Sequence, residues 1–211
     1  MILLGIGATF FFSNFLSKTF LRGEASSFTL ELPPYRTPQF GKILVRSLLD
    51  RTLFVLGRAV VVAAPAGLVI WILANINVDG MSILNHCTEF LNPFAKLMGL
   101  DGTILMAFIL GFPANEIVFP IILMSYLSTG QLIEIEEISE MREILIQNGW
   151  TWVTAICTMI FSLMHWPCST TVITIFKETK SWKWTALAVL LPTIAGMILC
   201  IAIHFFGTMI R

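Results

Sequence analysis

Met164, His165, Trp166, Pro167 and Cys168 stand consecutively inside an apolar run, and the hydroxyl residues Ser169, Thr170 and Thr171 follow them directly. Thioether, imidazole and thiol are soft or borderline donors, and together they suit a late first-row divalent cation or copper(I) better than sodium or magnesium. Each also has a plainer explanation. A cysteine beside a proline kink can simply be a small residue at a tight helix crossing, and a histidine ring can bond a carbonyl that the proline frees. A second constellation, Asn115 and Glu116, comes directly after Gly111-Phe112-Pro113 in another apolar run. An ionisable side chain at membrane depth faces a cavity or a partner, which makes Glu116 a candidate ligand; its structural alternatives are pairing with a buried arginine or capping half-helix amides. The candidate metal-contacting set is therefore Cys168, Glu116, Asn115, His165 and Met164, with no catalytic residue and no permanently bound cofactor among the expectations.

Other groupings are weaker. His86 and Cys87 are adjacent and near Glu89, but adjacent side chains on a helix point in different directions. Cys200 and His204 share a helix face at four-residue spacing, where packing explains them better than ligation. No CxxC pair exists among the four cysteines, and Cys157 and Cys200 read as buried free thiols.

The elements that must position these residues are membrane helices. Of 211 residues 56% are hydrophobic and 12% charged, so the chain reads as an all-α polytopic transmembrane protein with Pro-broken helices. The 13 basic and 13 acidic residues cancel, leaving no global field to recruit nucleic acid, and no GxxxxGK[ST] loop encodes nucleotide hydrolysis. The chain is not expected to be an enzyme. Residues 2–20 form a first span; apolar residues begin at Ile2 with no basic region or cleavage site, unlike a signal peptide. Residues 1–22 make a first transmembrane unit, and 23–51 a cytoplasmic Pro-rich connector ending in a basic interfacial helix. Residues 52–211 make the main transmembrane domain.

Within that domain, 52–76 is a span with Arg58 at one interface, Trp71 towards the other, and a bend expected at Pro65. The segment 80–99 is too polar for a lipid-facing helix and reads as a short buried or re-entrant element. The runs 103–128 and 151–176 are each broken near the middle, at Pro113 and Pro167. Hydrocarbon cannot satisfy the main-chain groups that such breaks free, so two breaks in one chain are expected to face each other and build a solute site for a small polar or ionic solute. Between them, Glu134, Glu136, Glu137, Glu140 and Glu143 against Arg142 alone, with apolar residues at helical spacing, predict an acidic amphipathic surface helix over 131–147. Residues 184–209 form the last span. Lys177, Lys180 and Lys183, like the basic connector, belong on the cytoplasmic side, which requires an even number of crossings between them. Four crossings result if 80–99 spans; otherwise a broken segment turns back on itself.

The strings ELPPYR at 31–36, GFPANEIV at 111–118, NGWTW at 148–152, and HWPCSTT at 165–171 followed by TIFKETKSWKW to 184 resemble the C-terminal membrane region of the bacterial ferrous iron transport protein B family, in order and over nearly the whole chain. The resemblance implies a gate repeat like those of nucleoside-recognition transport proteins, the second of the two such repeats in that family. It further implies ferrous iron uptake across the bacterial cytoplasmic membrane by a multi-pass protein, with Fe²⁺ as substrate, Cys168 matching the cysteine of the second gate motif and Glu116 the acidic residue after the glycine-containing break. Family members also carry an amino-terminal GTP-binding domain and a first gate repeat, which these residues do not contain. The implied partners are membrane lipid and a chain supplying those parts, or a second copy of this one; no nucleic acid is implied. Two other functions compete: a membrane scaffold or regulatory subunit of such a transporter, and a gate-like carrier of an organic solute such as a nucleoside.

Overall fold

The structure, a computed structural model, describes residues 2–19, 41, 45, 49, 52–78, 80–132, 135 and 137–209. The basic connector, Glu134 and Glu136 lie outside these or nearly so, and the Arg58 side chain is not described. Main-chain contacts divide the chain into two compact units, Met1–Ala59 and Val60–Arg211. The first contains α1, Ile2–Thr19, an unbroken helix with no buried residue, as expected for a span whose partners are lipid tails or other chains. Helix α2, Phe54–Asn75, continues through Pro65 without interruption. Membrane helices tolerate such a proline because neighbouring groups can satisfy the carbonyl it frees.

In the second unit α2 is followed by a two-residue hairpin, β1 (Asn77–Val78) and β2 (Met81–Ser82), turning at Gly80. Helix α3, Ile83–Leu97, begins with Ser82 accepting from the Asn85 N–H, and its first amide, that of Ile83, bonds the Ile76 carbonyl at 3.0 Å. Helix α4, Gly102–Leu110, follows at 109° to α3 and packs closely on it. After a break at 111–117 that includes a 3₁₀ turn, Asn115–Ile117, comes α5, Val118–Leu127.

The broken segment 103–128 turns back on itself. Its arms have 9 and 10 residues, or roughly 15 Å each, half of a hydrocarbon core about 30 Å thick. Their outer ends are tied together: Asp101, before α4, accepts the Tyr126 hydroxyl at the end of α5. Asp101 also caps α4 through the Ile104 N–H at 2.7 Å, and Tyr126 accepts the Trp150 indole N–H at 2.8 Å. Gly130, just beyond Tyr126, receives the Asn75 amide at 2.9 Å from the end of α2. These bonds gather the end of α2, both ends of α3, the mouth of the α4–α5 hairpin and Trp150 on one face.

Helix α6, Ile138–Gln147, is amphipathic and carries no buried residue. Helix α7, Trp152–Met164, and α8, Ser169–Thr179, form one 28-residue span through a break at 165–168. Helix α9, Trp182–Met209, returns after a turn at Lys180. It packs antiparallel on α7 through small residues: a Cβ on Gly196 would sit 3.0 Å from the Met164 Cβ, one on Gly207 would sit 2.7 Å from Val153 Cγ2, and Cys200 meets Cys157 between them. Close backbone approach of this kind holds membrane helices together where lipid gives no hydrophobic drive. Among the described residues, Ile2–Thr19, Trp152–Thr179 and Trp182–Met209 are long and apolar enough to span, and Ala59–Asn75 is apolar but shorter. Between α2 and the lysine loop, α7–α8 is long and apolar enough to cross, and α3 with α4 passes the same test only as a pair bent by 109°.

Candidate functional site

Both predicted breaks exist, and they touch. Pro167 has no N–H and excludes helical geometry from Trp166 before it, so α7 ends at His165 in extended backbone (ψ 177°) and α8 restarts after Cys168. The first amide of α8, that of Ser169, then lacks a partner within its own helix. At the hairpin tip the main chain turns at Gly111-Phe112-Pro113, leaving the Phe112 carbonyl free. The Ser169 N–H donates to that carbonyl at 2.8 Å. An orphan donor of one break answers an orphan acceptor of the other, as bilayer burial demands. Phe108 of α4 reinforces the junction, edge-on to Phe161 at 4.9 Å between centroids and 4.9 Å from the His165 ring.

The side chains of the second break differ in exposure. Cys168 is half-buried, with its sulfur 3.2 Å from Thr170 Oγ1 and 3.1 Å from Thr171 Oγ1. His165 is 8% exposed and donates through Nδ1 to the carbonyls of Phe161 at 3.1 Å and Ser162 at 2.9 Å. With two carbonyl oxygens facing Nδ1, that nitrogen carries the proton and Nε2 keeps a bare lone pair. Nε2 is buried without a partner among the described residues, as are Ser169 Oγ and Trp166 Nε1. An imidazole whose Nδ1–H is held by a carbonyl while Nε2 stands free has the arrangement of a metal-ligating histidine. Met164 is buried against Gly196 of α9.

Asn115 and Glu116 lie on the 3₁₀ turn of the hairpin, and both are exposed. The two breaks thus meet through main chain: Met164, His165 and Cys168 lie along one of them, each with its own separate contacts, and Asn115 and Glu116 lie on the other. Among the described residues, no group of three or more His, Cys, Asp or Glu side chains is placed to hold a metal ion. His86 uses Nε2 on the Val78 carbonyl at 3.0 Å, bracing the β hairpin, and Cys157 and Cys200 are buried free thiols.

Sequence reading missed the Asp101–Tyr126–Trp150 chain. Asp101 before an apolar run carries a helix-start signal, and Trp150 lies in the NGWTW string, but nothing in the residue order links either to Tyr126.

Interrupted apolar helices that face one another, with a re-entrant hairpin, define a polytopic α-helical membrane protein of the transporter type. Residues 56–182 match the Gate family model, described as nucleoside recognition, and residues 1–50 match the model for the ferrous iron transport protein B C terminus. The chain belongs to the gate family, and it corresponds to the C-terminal region of ferrous iron transport protein B. It is 32% identical over 218 residues to the Fe(2+) transporter FeoB of Staphylococcus aureus (strain MSSA476), an alignment covering 98% of this chain and 31% of that protein. It is 25% identical over 209 residues to the Fe(2+) transporter FeoB of Leptospira interrogans (serovar copenhageni), covering 87% of this chain and 29% of the relative. The match to the Synechocystis Fe(2+) transporter FeoB is 26% over 199 residues, covering 93% and 31%. The chain therefore spans about a third of the length of these relatives. No solved structure matches it.

Proposed function

We propose that this chain forms part of the path by which Fe²⁺ enters the cell across a bacterial cytoplasmic membrane, and that it works with a chain, or a further region, supplying a GTP-binding domain and a first gate repeat. The observation that carries the reading is the Ser169–Phe112 bond, which joins the break in a 28-residue apolar span to the tip of a hairpin with arms of 9 and 10 residues. Around it the thiol of Cys168, the free Nε2 of His165 and the thioether of Met164 supply soft and borderline donors, and Asn115 and Glu116 supply oxygen donors from the hairpin tip. Such a mixed, partly exposed set lets a cation trade its water shell for replaceable ligands rather than being trapped. Iron is the cargo and no reaction is catalysed. Replacing Cys168 by serine tests the reading: iron uptake in a complemented strain is expected to fall while the folded protein stays at its normal abundance, and unchanged uptake would exclude the thiol from the path.

A second reading, a carrier of a nucleoside, is favoured by the description of the gate model itself. In proteoliposomes, radiolabelled Fe²⁺ and a radiolabelled nucleoside offered in parallel separate the two.

A further inference from the structure

On the face that gathers the hairpin mouth and the end of α2 lies a cavity of about 360 Å³, away from the breaks. Asn75, Asn77, Ser82, Asn85, Ser125 and Thr129 line it, and none of its described lining residues is charged. Two features prepare it to accept hydrogen bonds. The Asn75 amide nitrogen is committed twice, to the Trp71 carbonyl at 3.0 Å and the Gly130 carbonyl at 2.9 Å, so a flipped amide would set oxygen against oxygen and Oδ1 is held as the accepting side. Gly130 permits this approach, since it has φ +70° and a Cβ there would stand 2.9 Å from Asn75 Oδ1. Ser125 Oγ is buried with no partner among the described residues.

We propose that this cavity is an entry vestibule that holds a divalent cation with its water shell intact. Six waters occupy roughly 180 Å³ at about 30 Å³ each, so a hexaaqua ion fits within the 360 Å³ available. Neutral amide and hydroxyl oxygens accept hydrogen bonds from bound waters but lack the negative charge that helps a ligand displace them. The ion is therefore collected without being stripped, and it loses water only at the softer donors of the helix breaks. The nature of the cargo rests on the iron-transport reading; the mode of binding does not.

The test uses the full chain in phosphatidylcholine nanodiscs with Mn²⁺ as a paramagnetic probe. Broadening is expected at the side-chain amide signals of Asn75, Asn77 and Asn85, and it should be relieved by excess hexaamminecobalt(III), whose ligands do not exchange and which can bind only through its outer sphere. Ser125→Ala, which removes a hydroxyl without a partner, and Asn85→Leu should each weaken the effect severalfold. Absence of broadening at these amides, broadening that hexaamminecobalt(III) does not relieve, or full broadening in both variants would overturn the proposal. Cys168→Ser should leave the broadening unchanged, so loss of the transport reading and loss of the vestibule give different results.

Discussion

The most informative single side chain is His165, because its two nitrogens have unlike surroundings. Nδ1 is pinned by two carbonyls while Nε2 is buried and unpaired among the described residues, and a buried acceptor left without a partner costs about 1–3 kcal/mol. That cost is tolerable in a membrane protein when the group meets its partner only part of the time. His165→Phe keeps the aromatic packing against Phe108 and Phe161 but removes both nitrogens. Thermal unfolding in detergent should move little, since the lost Nδ1 bonds, worth about 1 kcal/mol each, are offset by removal of the unpaired Nε2. Iron uptake should fall sharply. Uptake at the wild-type level would make the ring a packing element only. The residue types and their adjacency at 164–168 were legible from the sequence, because consecutive residues at a helix break share a neighbourhood. The exposure of Asn115 and Glu116 was not, because the side of the hairpin turn they occupy is set by the 3₁₀ geometry after Pro113.

At the scale of elements, the α3–α4 corner and the α4–α5 hairpin decide where the breaks lie. Gly102 opens α4 against the backbone of α3: a Cβ there would collide with the Thr88 carbonyl oxygen and stand 3.1 Å from Asn92 N. Main chain cannot step aside as a flexible side chain can, so Gly102→Ala should cost more than about 3 kcal/mol and remove the folded protein from size-exclusion profiles. Gly67→Ala in α2, where no atom lies within 4 Å of the added methyl, serves as the control and should fold normally. The hairpin mouth offers a second measurement. Tyr126→Phe leaves an Asp101 oxygen and the Trp150 indole N–H without their partner, a loss of about 1–3 kcal/mol seen as a lower unfolding temperature. Trp150→Phe made on top of it should cost less than it does alone, because the indole bond is already gone. Helix existence and the two interruptions could be read from apolar runs and prolines. That the first run doubles back could not, since periodicity reports which residues are apolar and is silent on the long-range Asp101–Tyr126 bond that closes the hairpin.

For the whole molecule the decisive property is which face meets which compartment. Lys177, Lys180 and Lys183 stand at the end of α8 and the turn into α9, whereas α6, with Glu140 and Glu143 exposed, lies between the hairpin mouth and the start of α7. The 28-residue apolar segment 152–179 between these two groups is long enough to cross a membrane. Positive residues resist translocation, so the lysine turn is expected in the cytoplasm, and α6, the hairpin mouth and the proposed vestibule on the opposite side. In a background carrying Cys87→Ser and Cys168→Ser, which leaves only the buried thiols Cys157 and Cys200, Glu140→Cys should react with a membrane-impermeant thiol reagent in intact bacterial spheroplasts, and Lys180→Cys should react only after the membrane is opened. The reverse pattern would place the vestibule inside the cell and make it an exit rather than an entry. Equal labelling of both positions in sealed spheroplasts would mean that residues 152–179 do not cross the bilayer. The contact of the two breaks would then no longer lie within the membrane, and the reason for expecting an ion between them would be gone.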